Sequence, residues 1–266
     1  MEPDRTLIRE FTHQAGAFAA AAVFRSADTL DALVDRLPTR PNETWCDVAC
    51  GPGIVACALA RRVSEVIGID QTPAMLAAAA AEADRQGVHN ARWLVGDAQS
   101  LPLAGACCDG CVSRFALHHI ADPAAAVREM ARVVRVGGTV AVADHCTSDQ
   151  PEAAAWHQQL ERWRDPSHQA CLTPAGLRAL GTAAGLEPVA FDERLFEMDY
   201  EEWLTRGSGG PGRRDAIAAR FATPPPGADT VFSRSGDRLR ARLAIVVWRR
   251  PAGEMPTPRP SKEERP

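Results

Sequence analysis

The chain predicts an α/β fold built on a mostly parallel sheet, and three observations carry that expectation. From Thr44 to Ala143, short apolar runs of strand character alternate with helical stretches, and such alternation implies right-handed crossovers between parallel strands. The turn Asp47-Val48-Ala49-Cys50-Gly51-Pro52-Gly53 leaves the first strand and opens a helix, so the backbone there can approach a bound ligand closely. Asp70 ends the next apolar run, at the kind of strand terminus where ligands gather in open α/β sheets.

The elements follow in order. Apolar positions at helical spacing (Phe11, Ala15, Phe18, Ala22) mark a helix from Leu7 to Val23, and Ser26-Ala27-Asp28 caps a second that ends before Pro38. Residues 1–38 are therefore expected as an N-terminal helical cap on a core of residues 39–250. Strands are predicted over Thr44–Ala49, Glu65–Ile69, Ala91–Val95, Asp109–Ser113 and Thr139–Ala143, the last entered through Gly137-Gly138. Helices are expected over Gly53–Arg62, from Thr72-Pro73 with Thr72 as N-cap, and from Asp122-Pro123. After Asp144 the pattern changes. Residues 145–185, after the fifth strand, hold two helical segments, the second opened by Thr173-Pro174. An extended run from Leu186 to Met198, helical stretches over Glu201–Leu204 and Arg213–Phe221, and a strand over Leu239–Trp248 follow, with Gly236-Asp237 as a hairpin turn. That makes seven strands. Residues 251–266 are rich in proline and charge and are expected to be disordered.

Composition narrows the function. A formal charge of -4 in 266 residues shows no nucleic-acid footprint, and ten arginines between Arg206 and Arg250 read as a solvated face. The start Met1-Glu2-Pro3-Asp4-Arg5 lacks the order of a signal peptide, and no apolar run approaches the ~18 residues that span a bilayer. A cytoplasmic protein is expected, with its eight cysteines as thiols. Cys108 and Cys111 form a Cys-x-x-Cys without a second pair, so they read as buried thiols.

Asp47 stands just before the glycines, where a pyrophosphate would not tolerate a carboxylate and a cationic amino-acid end would favour one. S-adenosylmethionine (SAM) has such an end, with an ammonium, a sulfonium and no phosphate. Asp97, in Gly96-Asp97-Ala98, closes a third strand, so three successive strands end in Asp47, Asp70 and Asp97. A dinucleotide loop, which Gly51-x-Gly53-x-x-Ala56 also fits, would use only the second. Taken together, these motifs resemble the class I SAM-dependent methyltransferases, specifically the group related to the ubiquinone/menaquinone C-methyltransferases. The resemblance covers most of residues 8–250 and is strongest over 44–142. It implies a Rossmann-like sandwich in which residues 145–185 form a helical lid that closes over the substrate with the N-terminal cap. Asp47 would meet the methionyl ammonium, the backbone at Ala49, Gly51 and Gly53 would cradle the amino-acid end and ribose, and Asp70, followed by Gln71, would accept from the ribose hydroxyls. Met75 would pack on adenine, Asp97 within Gly96–Ala98 would take the adenine amino group, and Ser113 would be a further cofactor-binding residue.

The segment Ser113-Arg114-Phe115-Ala116-Leu117-His118-His119 follows the fourth strand. A helical turn would bring Arg114 and His118 together at i and i+4, with His118 as the base and the guanidinium stabilising the resulting anion. His119, His145 and His168 are further candidates, and Asp165-Pro166 reads as a turn. The set His145, Asp165, His168 matches no known ligand spacing, so no metal is expected. The expected partner is a small-molecule acceptor with a carbon, oxygen or nitrogen nucleophile, in the setting of secondary metabolism, with neither nucleic acid nor membrane. A homodimer is compatible with the sequence. The alternatives are a SAM-binding protein with a non-methylating role (a cyclase or regulatory subunit) and an NAD(P)-dependent oxidoreductase. The latter lacks a Tyr-x-x-x-Lys pair, since Tyr200 is the sole tyrosine.

Overall fold

The computed structural model describes residues 5–253. Its centre is a sheet in which β1 (Thr44–Val48), β2 (Glu65–Asp70), β3 (Ala91–Val95), β4 (Cys108–Arg114) and β5 (Val134–Cys146) run parallel. β8 (Arg238–Arg249) pairs antiparallel with β5, and β6 (Glu187–Asp199) antiparallel with β8. The order is β3-β2-β1-β4-β5-β8-β6. The seven expected strands are all present, and an eighth, β7 (Phe232–Ser235), pairs with β8 across the anticipated Gly236-Asp237 turn. The order reverses between β1 and β4. Chains leaving the two strands there part to opposite sides, opening a crevice at their carboxyl ends.

Strand periodicity buries both faces. On one face Trp45, Val66, Val112, Ala141 and Ile245 pack with α3 (Ile54–Ala60), α4 (Pro73–Gln86), α6 (Pro151–Arg164), α8 (Tyr200–Arg206) and α9 (Arg214–Ala222). On the other, Cys46, Ile67, Cys111, Val140 and Trp248 meet α5 (Pro123–Val133) and α7 (Pro174–Ala183). Neighbouring residues of one strand thus serve opposite layers, as the two-residue strand period requires. Asp122 caps α5 by accepting the Ala125 N–H at 2.9 Å, and Thr173 caps α7 by accepting the Gly176 N–H at 3.1 Å. Thr72 makes no side-chain cap on α4. Cys108 and Cys111 both lie in the core under α5.

Several boundaries differ from expectation. α1 (Arg5–Ala20) stops short of Val23, and the chain turns through a 3-10 turn at Ala22–Arg25 and a π-helical turn at Ala27–Asp31 before α2 (Ala32–Val34). Ser26 does not cap: its hydroxyl donates to Val23 O at 3.1 Å. Thr29 donates to the same carbonyl at 2.6 Å, and these local bonds override the capping signal. β5 begins at Val134, directly after α5, with a register shift opposite Cys108–Gly110. Of the expected disordered tail, residues 254–266 lie outside the described residues. Among the described residues no helix is long and apolar enough to cross a membrane.

Gly181 faces Trp248 so closely that an added Cβ would sit 2.2 Å from the indole. Gly181→Ala gains at most ~1 kcal/mol in helix propensity and meets an overpacking cost of about 1–3 kcal/mol. Net destabilisation is expected, read as a lower urea midpoint with an unchanged slope.

Candidate active site

The crevice between β1 and β4 is built by strained backbone. Ala49, Gly51 and Gly53 all take positive φ, at 53°, 51° and 74°, so the loop coils back on itself within five residues. The alanine pays about 1–2 kcal/mol for that conformation. At Gly53 a Cβ would lie 2.8 Å from Trp93 and 2.9 Å from Ala79, so only glycine lets α3 start this close to its neighbours. Asp70, at the end of β2, holds the loop: one carboxylate oxygen accepts the Gly51 N–H at 2.9 Å and the other the Thr72 N–H at 2.8 Å. Each oxygen keeps a further lone pair for a ligand. Burial raises the Asp70 pKa, and those backbone N–H groups oppose it.

The cleft above this loop has a volume of about 210 Å³. Asp47, Ala49, Gly51, Asp70, Gln71, Met75, Gly96, Asp97, Ala98 and Arg114 all line it. Asp47 is buried, and its Oδ2 has no hydrogen-bond partner. Burial pushes its carboxyl up to about 7, with the Arg114 charge pulling the other way. An orphaned buried carboxylate oxygen costs free energy unless a cation or donor meets it. The residues present therefore fit the cationic amino-acid end of SAM, and Asp97, half-buried with Oδ1 accepting the Gln99 N–H at 2.9 Å, keeps acceptor capacity at the far end.

Two expected members stand elsewhere. Ser113 turns inward and donates to Val48 O at 2.8 Å, tying β4 to β1, and it is not part of the cleft wall. Gly53 ends the loop at the head of α3, where it packs against Trp93 and Ala79 away from the cleft wall.

Arg114 and His118 do not meet as expected. Phe115 adopts φ 53° and a 3-10 turn covers Leu117–His119, so no α-turn places i over i+4. Among the described residues no hydrogen bond or ion pair joins the two. Arg114 is buried and donates to Phe24 O at 2.7 Å and Thr29 Oγ1 at 3.2 Å, pinning the N-terminal cap to the sheet. Burial lowers its pKa to about 10, with Asp47 opposing. His118 instead pairs with Asp144 at the end of β5: Nδ1 stands 2.6 Å from Oδ1, and the His118 N–H donates to Oδ2 at 3.0 Å. Burial holds His118 well below the usual imidazole range and raises Asp144 to about 6. At neutral pH the imidazole is neutral and donates its Nδ1 proton to the carboxylate, leaving Nε2 as a lone pair.

His118 lines a second, inner chamber of about 40 Å³ with His119, His145, Glu161, Arg164 and Arg206. Phe18, Phe24, Phe115 and His119 border both cavities. Four histidines singled out in the sequence come together here, joined by His157: ring centroids are 4.2 Å apart for His118–His145, 5.8 Å for His118–His168 and 5.7 Å for His145–His157. Asp165 does form the expected turn, accepting the Ser167 N–H at 2.9 Å, and also takes a bond from Gln14 in α1 at 2.8 Å. Burial opposes its ionisation, yet the Arg164 guanidinium holds its carboxyl below the usual range. The set His145, Asp165, His168 is not what the fold assembles; the groupings are His118, His145, His168 and His145, His157, Cys171. Arg206 leaves the expected solvated face and lies over Phe18 and Phe24, at 5.2 and 4.9 Å from the ring centroids.

Sequence reading missed Asp144, Arg206 and the aromatic wall of Phe11, Phe18 and Phe24. Asp144 carried a signal, a carboxylate ending a fully apolar strand beside His145. The cap aromatics carried none, because their helical spacing reads equally as core.

A family model described as a methyltransferase domain matches residues 46–142. Uncharacterized methyltransferase YcgJ of Bacillus subtilis (strain 168) is 31% identical over 205 residues, spanning 77% of this chain and 81% of that protein. A crystal structure of YcgJ superposes with a TM-score of 0.79 at 26% identity, covering 86% of this chain and 100% of that one. Uncharacterized protein YafE of Escherichia coli (strain K12) is 36% identical over 188 residues, 71% of this chain and 91% of its own length. The 2-phytyl-1,4-naphtoquinone methyltransferase of Thermosynechococcus vestitus is 33% identical over 178 residues, covering 59% of this chain and 77% of that protein.

Removing the Arg114 guanidinium leaves the buried Phe24 carbonyl without this donor and frees the cap. Arg114→Met is expected to cost about 1–3 kcal/mol in chemical denaturation and to speed amide exchange in α1 and the turns after it.

Proposed function

This chain belongs to the class I SAM-dependent methyltransferases, and we propose that it methylates a small molecule whose reacting end enters the inner chamber. The observation that supports this most is the pair of adjoining cavities, an outer one walled by strand-end carboxylates and an inner one holding a buried His–Asp pair. When bound, SAM supplies an electrophilic methyl whose departure leaves a neutral thioether, so little leaving-group charge needs stabilising. Asp47 would hold the ammonium, Ala49 and Gly51 the amino-acid end, and Asp70 with Gln71 the ribose. Met75 and Gly96–Ala98 would contact adenine.

The chain's own chemical work is then positioning and proton removal. The cap of residues 1–38 and the lid of residues 145–185 would exclude water around the acceptor, which supplies much of the rate in an in-line displacement. His118 would take the acceptor's proton at Nε2, while Asp144 holds the proton on Nδ1 and steadies the imidazolium that forms. Burial keeps His118 unprotonated at neutral pH but also weakens it as a base, so the imidazolium depends on Asp144 for its stabilisation. Arg164, Arg206 and Glu161 line the same chamber, a net positive set that favours an acceptor becoming an oxyanion, such as a phenol or an enolisable carbon. The name of the Thermosynechococcus relative supports a quinone-like aromatic acceptor. Arg114 would act by positioning the cap. Eight free thiols support a cytoplasmic setting, and Val189, Phe191 and Leu195, exposed on the edge strand β6, support a homodimer.

Titration calorimetry tests the cofactor. SAM and S-adenosylhomocysteine are expected to bind, NADPH not to bind, and Asp70→Ala to abolish binding; NADPH binding alone would overturn the reading. Asp47 takes up its proton near pH 7 in the free protein, so cofactor affinity is expected to fall as pH drops through that value. The loss approaches about tenfold per pH unit below it. Turnover, read as S-adenosylhomocysteine release, tests the base. His118→Ala is expected to lower it at least tenfold with cofactor affinity unchanged, and Asp144→Asn on the order of a hundredfold. Unchanged turnover in His118→Ala would remove it from the mechanism.

A further inference from the structure

Behind the His118–Asp144 pair lies a group of side chains that base chemistry does not use. We infer that His145, His157 and Cys171 form a binding site for a zinc-class divalent ion, which fastens the lid to the sheet. His145 comes from β5, His157 from α6, and Cys171 from the segment between α6 and α7. One donor atom from each lies within 4.8 Å of the other two, and His145 Nε2 stands 3.1 Å from Cys171 Sγ. All three are buried.

The nitrogen assignments follow from the outer partners. His157 Nδ1 faces Thr147 Oγ1 at 3.3 Å, which leaves Nε2, a buried atom without a hydrogen-bond partner. An imidazole nitrogen left unpaired inside a protein is destabilising, and a metal removes that cost. Glu161 Oε1, 3.8 Å from the same nitrogen, supplies a negative charge beside the site. Tetrahedral zinc has bonds of about 2.0–2.1 Å to nitrogen and 2.3 Å to sulfur, which sets its donors roughly 3.3–3.7 Å apart. From 4.8 Å, closure therefore needs relative donor shifts of up to about 1.5 Å, shared between the side chains.

Ligand type selects the ion. One thiolate with two imidazoles suits zinc and its cobalt surrogate, while magnesium and calcium prefer oxygen. The neighbouring set of His118, His145 and His168 also clusters within 4.8 Å, but that set offers no sulfur and uses the nitrogen assigned to proton removal. The site does not require SAM, so its test is separate from that of the proposed function.

The test uses the full-length protein, freed of metal by a chelator and titrated with cobalt(II). The expected result is saturation near one ion per chain, with a near-ultraviolet thiolate-to-cobalt charge-transfer band and the intense visible bands of tetrahedral cobalt. Zinc should displace the cobalt and raise the melting temperature. Cys171→Ser should abolish the charge-transfer band, and His157→Gln should weaken cobalt at least tenfold. His168→Gln should leave the spectrum intact. Because Cys171→Ser could fail to fold, the wild-type spectrum decides alone: absence of the charge-transfer band overturns the site. Cobalt binding that survives in Cys171→Ser and vanishes in His168→Gln would also overturn it, in favour of the all-histidine set.

Discussion

Asp70 is the constraint on which the cleft depends. Its two oxygens accept backbone N–H groups from both sides, Gly51 in the first loop and Thr72 at the head of α4. The first bond holds a loop with three positive-φ residues, of which Ala49 carries the conformational cost. The loop in turn fixes where β1 ends and α3 begins, and therefore where Asp47 stands. One carboxylate thus organises the backbone and still retains acceptor capacity for a ligand, which explains why it occupies the strand terminus and not a later turn.

The second organising influence is burial of charge. Asp47, Arg114, Asp144, Glu161, Arg164, Asp165 and Arg206 are all buried, a costly arrangement for so many ionisable groups. They are tolerable because they interlock. Arg114 opposes the burial penalty on Asp47 while its donors secure Phe24 and Thr29 in the cap. Arg164 bonds Glu161 at 3.0 Å and lies 3.5 Å from Asp165, which also receives Gln14 from α1. Cap, lid and sheet are joined through these polar contacts as well as through apolar packing. Burial lowers the pKa of His118, His119, His145 and His168 beside them, so these imidazoles are neutral and keep a lone pair.

The two cavities divide labour along the same lines. The outer one takes its polar groups from strand ends and their loops, which the sheet holds rigidly. The inner one takes its groups from the 3-10 turn after β4, the end of β5, α6 and α8, elements whose mutual placement depends on packing. A reaction needing a fixed cofactor and a variable acceptor is well served by that separation, because the second set can change without disturbing the first.

By itself the sequence determined the order of strands and helices and the carboxylates at three successive strand ends. Both are properties of spacing along the chain, and the sheet's right-handed crossovers turn spacing into position. It misread the segment after β4 because one residue, Phe115, leaves the helical region and carries His118 away from Arg114. Tertiary structure alone decided the partners. His118 meets Asp144 through the pairing of β4 with β5, where Arg114 lies opposite Ala143, and Ser113 bonds Val48 through the pairing of β4 with β1. The lid's packing against the sheet brings His157 and Cys171 to His145, and Asp165 to a glutamine 151 residues away. Such contacts depend on register and on side-chain packing between distant elements, and no local period records them.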